Sequence, residues 1–113
     1  METIEVKGKV IKTLDDGYMQ NRELWDEEIA IALAKREDIE LTDEHWEVIN
    51  YLRKYYKEYL ISPDVRVLLK HMKETLGEDK VDKKYLYTIF PKGPAFQGCK
   101  IAGLPKPTGC IDG

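Results

Sequence analysis

The chain has 113 residues, of which 42% are hydrophobic and 35% charged, and its formal net charge is −3. This length fits one domain with a single core that needs neither a metal nor a disulfide to fold. The sequence has no apolar run long enough to span a membrane, and its N-terminus lacks the features of a signal peptide. We therefore expect a cytoplasmic protein that does not insert into membranes and whose thiols are reduced at rest.

The N-terminal third predicts a small β element followed by a helix. Apolar and polar residues alternate over residues 2–14, with a break at Gly8, which favours one or two short strands or a hairpin. A helix is expected from about Asp26 to Arg36, because acids begin and basic residues end this alanine-rich stretch. Trp25 is expected to pack under the start of that helix.

Three further helices are predicted, each from a capping residue or a first-turn proline at its start. They run from Thr42 to about Leu60, from Ser62-Pro63 to about Thr75, and from Asp82 to Phe90. The predicted fold class is α+β, mainly α. A small N-terminal β-meander or hairpin packs against an array of about four to five helices, and a flexible C-terminal arm follows.

The last segment of the chain, from residue 91 onward, contains both cysteines, four of the five prolines and five of the eight glycines. A segment so rich in these residues is not expected to form a long helix or a strand. We therefore divide the chain into one domain, residues 1–90, and a Gly/Pro-rich arm, residues 91–113. A free arm of this length would place Cys110 about 25 Å from its root on average and about twice that when stretched. Cys99 and Cys110 are then accessible for chemistry.

Charge is divided unevenly along the chain. Residues 1–82 carry a net charge of −7 and residues 83–113 a net charge of +4. Lysines beside a thiol favour the thiolate, the form that reacts, and they attract anions. We therefore expect Lys92, Lys100 and Lys106 to engage an anionic substrate or partner.

Several functions remain open from the residues alone. Two thiols on one arm allow a cycle in which one accepts sulfur as a persulfide and the other attacks it. A permanent disulfide between Cys99 and Cys110 and a helix-turn-helix regulator are alternatives, although an acidic body matches nucleic-acid phosphates poorly. A metal site is not predicted, because no CxxC motif is present and His45 and His71 are interpreted as surface or boundary residues. A cysteine protease is not expected, because that chemistry needs a rigid thiol beside a base and the C-terminal segment offers neither.

The C-terminal segment resembles the DsrC family, the gamma subunit of dissimilatory sulfite reductase. The shared pattern is GP followed by CK-x-AGLPKPTGC, which here comprises Gly93-Pro94 and residues 99–110. The similarity extends to the IELTDEHWEVINYLRKYY stretch at 39–56 and to the ISP at 61–63. A twelve-residue match that includes both cysteines is highly specific.

This resemblance implies a sulfur carrier and redox co-substrate without a catalytic centre of its own. In the family the arm inserts into the sulfite reductase α and β subunits, the residue matching Cys110 takes up the sulfur, and the residue matching Cys99 joins it in a trisulfide. A membrane-associated thiol/disulfide reductase complex then regenerates the thiols. No cofactor is expected on this chain, since siroheme and iron–sulfur clusters belong to the partner.

Related proteins of the TusE type keep only the distal cysteine and relay sulfur for tRNA thiolation, with sulfurtransferases as partners. The two cysteines of this chain place it, by resemblance, on the DsrC side. It departs from the family pattern in that Ile111, Asp112 and Gly113 follow Cys110, where the distal cysteine is usually penultimate. We expect the extra residues, one of them acidic, to affect the insertion geometry more than the thiol chemistry.

Overall fold

The computed structural model describes residues 2–14, 16–61, 63 and 65–106, and over these residues the chain forms a two-stranded antiparallel hairpin and five α-helices. The strands are β1 (Glu2–Val6) and β2 (Lys9–Thr13); a 3₁₀ turn follows at Arg22–Leu24; the helices are α1 (Glu27–Arg36), α2 (Asp43–Tyr59), α3 (Val65–Leu76), α4 (Lys83–Ile89) and α5 (Pro94–Ile101). This confirms the predicted class, α+β and mainly α. None of the helices in the described ranges is long and apolar enough to cross a membrane.

The hairpin turns at Lys7 and Gly8, whose φ angles of 48° and 81° belong to the left-handed region typical of tight two-residue turns. Ile11 and Thr13 of β2 are buried, while the alternate residues of the strand face solvent. After β2 the chain reverses, and Met19 forms an isolated antiparallel bridge with Thr13. The hairpin agrees with the alternation in residues 2–14, and the bridge at Met19 adds the beginning of a third pass.

Helices α1 and α4 begin where the sequence predicts, and an aspartate caps each of them. The Oδ1 atom of Asp26 accepts a hydrogen bond from the backbone N–H of Ile29 at 2.9 Å. Asp82 accepts in the same way from Tyr85 at 2.7 Å. Each cap satisfies one N–H group that the first turn leaves without a helical partner. The predicted cap of α3, Ser62, lies outside the described residues.

His45 is buried, so its interpretation as a surface or boundary residue is wrong. The backbone N–H of Thr42 donates to His45 Nδ1 at 3.0 Å, which leaves the proton on Nε2, and Nε2–H donates to the carbonyl oxygen of Ile89 at 2.8 Å. Both ring nitrogens of the buried His45 side chain therefore have a hydrogen-bond partner. The ring joins the start of α2 to the end of α4. His71 is half-buried and stacks on Tyr51 at a centroid distance of 3.7 Å.

The largest departure from the sequence analysis is α5. Six of its eight residues are buried, and it packs against α1, α2, α3 and α4. The predicted arm therefore does not begin at residue 91, because the segment from Pro94 to Leu104 belongs to the core. An arm beyond that segment stays a prediction: residues 107–113, which include Cys110, lie outside the described residues.

Proline and glycine are compatible with this helix because of where they stand. Pro94 occupies the first turn, where its missing N–H group would have had no helical partner, and Gly93 precedes it with a φ of 112°. Gly98 lies against α2, where a Cβ atom would come within 2.6 Å of Leu52 Cδ1. The glycine that weakens the helix in isolation is thus the residue that lets it approach α2 closely.

Candidate functional site

Cys99 lies on α5 with none of its surface exposed, contrary to the expectation that both cysteines are accessible. Beside it stands Tyr18, whose hydroxyl donates to the carbonyl oxygen of Phe96 at 2.9 Å. Burial raises the pKa of Tyr18, and the neighbouring Cys99, Asp16 and Glu37 raise it further. Tyr18 is therefore a neutral hydrogen-bond donor that fixes α5 one turn before the cysteine.

A polar cluster lies along one side of α5. Lys100 Nζ lies 3.2 Å from Glu37 Oε1, and Gln97 Nε2 donates to the same oxygen at 3.3 Å. The Oε1 atom of Gln97 in turn accepts from the backbone N–H of Lys92 at 2.9 Å. Burial opposes ionisation of Glu37, but hydrogen bonds from Gln97 and Lys100 and the charges of Lys100 and Lys92 together hold its pKa below the ordinary value. The cluster ties α5 to the end of α1.

The three lysines singled out in the sequence occupy different environments. Lys92 and Lys106 are exposed, whereas the side chain of Lys100 is only 18% exposed and is paired with Glu37. Lys100 thus has a structural contact as well as the proposed attraction for anions. The role of all three toward a substrate or partner stays a prediction, as does the role of Cys110.

The C-terminal end of α5 is held by two side chains that together form an exit clamp, Trp25 and Arg53. Trp25 Nε1–H donates to the carbonyl oxygen of Ile101 at 2.8 Å, and Arg53 Nη1 donates to that of Ala102 at 2.7 Å. The Arg53 guanidinium also lies over the Trp25 ring, 3.8 Å from its centroid. Gly103 passes so close to the indole that a Cβ atom would come within 2.4 Å of Trp25 Cδ1.

Past the clamp, the described chain changes from buried to exposed positions. The N–H of Leu104 donates back to the carbonyl oxygen of Cys99 at 2.9 Å, and Leu104 is 5% exposed. Pro105 is half-buried and Lys106 is exposed. In the described part of the chain, burial therefore ends between Leu104 and Lys106, about fourteen residues after the predicted start of the arm at residue 91.

Sequence reasoning missed most of this site. Trp25 was expected to support α1, and Tyr18, Glu37, Arg53 and Gln97 were not singled out. The contacts of Trp25 and Arg53 with the end of α5 span 76 and 49 positions of the chain, so no local pattern announces them. Within the described ranges no group of three or more potential metal ligands occurs.

Comparisons with known proteins identify the family to which this chain belongs. Residues 5–111 match the family described as DsrC like protein. The Sulfurtransferase TusE of Photorhabdus laumondii is 51% identical over 105 residues, which cover 93% of this chain and 95% of that protein. The chain is thus similar over nearly its whole length to a protein named for sulfur transfer.

Solved structures agree with the family match. The oxidized gamma-subunit of the dissimilatory sulfite reductase (DsrC) from Archaeoglobus fulgidus superimposes with a TM-score of 0.89 at 49% identity, covering 97% of this chain and 100% of that one. The NMR structure of DsrC from Allochromatium vinosum gives a TM-score of 0.86 at 52% identity, covering 97% and 98%. Sequence and structure together show that the chain belongs to the DsrC-like family of sulfur carriers, which includes proteins named DsrC and proteins named TusE.

Proposed function

We propose that this chain is a sulfur relay of the TusE type, which accepts sulfur on Cys110 and passes it on for tRNA thiolation. The observation that carries the proposal is the burial of Cys99 on a helix clamped at its end. A relay through Cys110 alone needs no movement of α5, whereas chemistry that uses both thiols needs Cys99 to leave the core. The relationship to a protein named Sulfurtransferase TusE supports the same choice.

The relay is a pair of exchange reactions at sulfur. The Cys110 thiolate attacks the outer sulfur of a persulfide on a donor protein, the donor's S–S bond breaks, and the donor leaves as a thiolate. The sulfur now stands on Cys110 as a persulfide. A thiolate of the acceptor protein then takes that outer sulfur and restores the Cys110 thiolate. No electrons are gained or lost over the two steps, so neither a cofactor nor a second cysteine on this chain is required. The cycle needs reduced thiols, and we therefore propose that it runs in the cytoplasm.

A second candidate is a redox co-substrate of dissimilatory sulfite reductase. The presence of Cys99 eleven positions before Cys110 favours it, as does the similarity to two proteins titled DsrC. In that cycle sulfur from the siroheme site of the partner is held between the two cysteines as a trisulfide, and a membrane-associated thiol/disulfide reductase complex restores the thiols. The clamped position of Cys99 means that α5 must open during each turn of that cycle.

Intact-mass spectrometry with single-cysteine variants tests the relay. The chain is incubated with glutathione persulfide, desalted, and then mixed with an acceptor thiol. The relay predicts that Cys99→Ala gains one sulfur atom and loses it to the acceptor as the unchanged chain does, whereas Cys110→Ala gains none. If Cys99→Ala cannot load or release sulfur while the unchanged chain forms a stable trisulfide, the co-substrate cycle is the better description. Absence of an adduct on Cys110 in both chains would contradict both functions.

A further inference from the structure

Cationic and aromatic side chains from two elements extend from the exit clamp along one face of α2 and the 3₁₀ turn. Arg22, in the 3₁₀ turn, lies 5.7 Å from the centroid of the Tyr56 ring on α2. Arg53, one turn earlier on α2, covers Trp25. Lys57 is four positions after Arg53 and therefore shares its helix face, and it is exposed. We call the surface formed by Arg22, Trp25, Arg53, Tyr56 and Lys57 the exit face.

The exit face has the composition of an interaction surface. Arginine and aromatic residues are enriched where proteins bind each other. Two apolar side chains border it in the chain, Leu24 beside Arg22 and Leu60 one turn after Tyr56, and they are 42% and 72% exposed. Arg22, Arg53 and Lys57 bring three cations to this stretch, against two acids, Glu23 next to Arg22 and Glu58 next to Lys57. The face thus carries positive charge on a chain whose net charge is negative.

The length of the tail connects this face to the proposed chemistry. Cys110 comes seven positions after Gly103, which is held against Trp25. A flexible chain of seven residues spans about 15 Å on average and at most about 25 Å. By chain length alone, Cys110 therefore lies within about 25 Å of Gly103. A protein that reacts with Cys110 must approach within that distance of the exit clamp, and a standard interface covers roughly 800 Å² on each partner.

We propose that the exit face docks the protein that delivers sulfur to Cys110, and that this donor presents carboxylate side chains beside its reactive cysteine. The inference rests on the proposed relay and adds to it the place and the charge of the donor contact. Arg22 and Lys57 attract the donor's carboxylates, and the clamp ensures that an approach to the exit face is also an approach to Cys110. Arg53 is the positioning residue, since it both contributes charge and holds the root of the tail.

Thiol–disulfide exchange with two synthetic peptides tests the docking face without knowledge of the donor. Each peptide has one cysteine activated as a mixed disulfide with thionitrobenzoate, flanked by four glutamates in one peptide and by four lysines in the other. The full chain carries Cys99→Ala so that Cys110 is its only thiol. Attack by the Cys110 thiolate releases thionitrobenzoate, and its colour gives the rate. At low salt we expect the acidic peptide to react faster, and added salt to reduce that advantage.

Charge-reversal variants separate the exit face from the rest of the chain. Arg22→Glu and Lys57→Glu each should lower the advantage of the acidic peptide about threefold or more at low salt. Lys70→Glu, at an exposed position on α3, makes the same change in net charge and should leave the advantage intact. All three positions are exposed, so the variants are expected to fold.

Other results would overturn the proposal. If the acidic peptide keeps its full rate advantage in all variants, tail lysines such as Lys106 cause the preference. If Lys70→Glu lowers that rate advantage as much as Arg22→Glu and Lys57→Glu do, net charge alone causes it. A dimer that Arg22→Glu dissociates, measured by sedimentation, would show that a second copy of the chain covers the face. Failure of Cys110 to react with either peptide would count against the relay, and with it against the docking face. Reaction of Cys110 without a preference that depends on Arg22 and Lys57 would count against the docking face alone.

Discussion

Helices α4 and α5 are nearly equal in length, with seven and eight residues, but they depend on different kinds of interaction. The start of α4 is set by its own sequence, because Asp82 caps the first turn, and only Leu86 is buried. Six residues of α5 are buried, and no side chain caps its start. Helices this short are marginal in isolation, so packing must supply most of the stability of α5. The helix that carries Cys99 is thus the one whose formation depends on the rest of the molecule.

The largest effect is expected where α5 meets the exit clamp. Gly103→Ala places a methyl group against the Trp25 ring and forces a side chain into a φ of 72°. We expect the free energy of unfolding, measured by urea denaturation, to fall by about 3 kcal/mol. Gly77→Ala is the matched control, because its φ is 105° and nothing lies within 4 Å of the added Cβ atom. Equal losses in the two variants would mean that the Trp25 contact contributes nothing.

A smaller loss is expected inside α5. Gly98→Ala improves helix propensity by about 1 kcal/mol, but its Cβ atom would come within 2.6 Å of the buried Leu52 side chain. Because overpacking a core costs about 1–3 kcal/mol, we expect a net loss of about 1 kcal/mol in urea denaturation. In a Leu52→Ala background, where the methyl group has room, Gly98→Ala should instead raise the free energy of unfolding. A loss of the same size in both backgrounds would contradict this account of the contact.

The same comparison predicts a difference in the exposure of Cys99. Asp82→Ala should lower the free energy of unfolding by about 1 kcal/mol through loss of the α4 cap. Alkylation of Cys99 by iodoacetamide under native conditions, in a Cys110→Ala background, reports local opening of α5. At matched global stability, adjusted with urea, Gly103→Ala should label faster than Asp82→Ala. Equal labelling rates would show that Cys99 becomes accessible only when the whole domain unfolds.

These contrasts explain which parts of the fold the sequence predicts. The hairpin and α1 to α4 were predicted within a few residues, because Gly8, Asp26 and Asp82 act on their immediate neighbours and apolar residues recur at strand or helix spacing. Helix α5 was missed because Gly98 and Pro94 weaken a helix locally and are compatible with it only through contacts with distant residues. The cysteines were identified by their pattern, but the burial of Cys99 depends on Trp25 and Arg53, which no spacing connects to it.

The smallest expected effect is a pH dependence of stability at the contact between Glu37 and α5. The pKa of Glu37 is lower in the folded chain than its ordinary value of 4.5: burial raises it, but hydrogen bonds from Gln97 and Lys100 and the charges of Lys100 and Lys92 together outweigh the effect of burial. A lowered pKa contributes stability above the ordinary value, and this contribution is lost as the pH falls through the folded-state pKa. We expect Glu37→Gln to be less stable than the unchanged chain by about 1 kcal/mol or less at neutral pH and equally stable in acid. Urea denaturation of both chains from neutral to acidic pH measures this difference in the free energy of unfolding. Glu40→Gln, at an exposed glutamate, is the control. A gap between the Glu37→Gln variant and the unchanged chain that persists in acid would mean that Glu37 holds α5 by its shape and not by its charge.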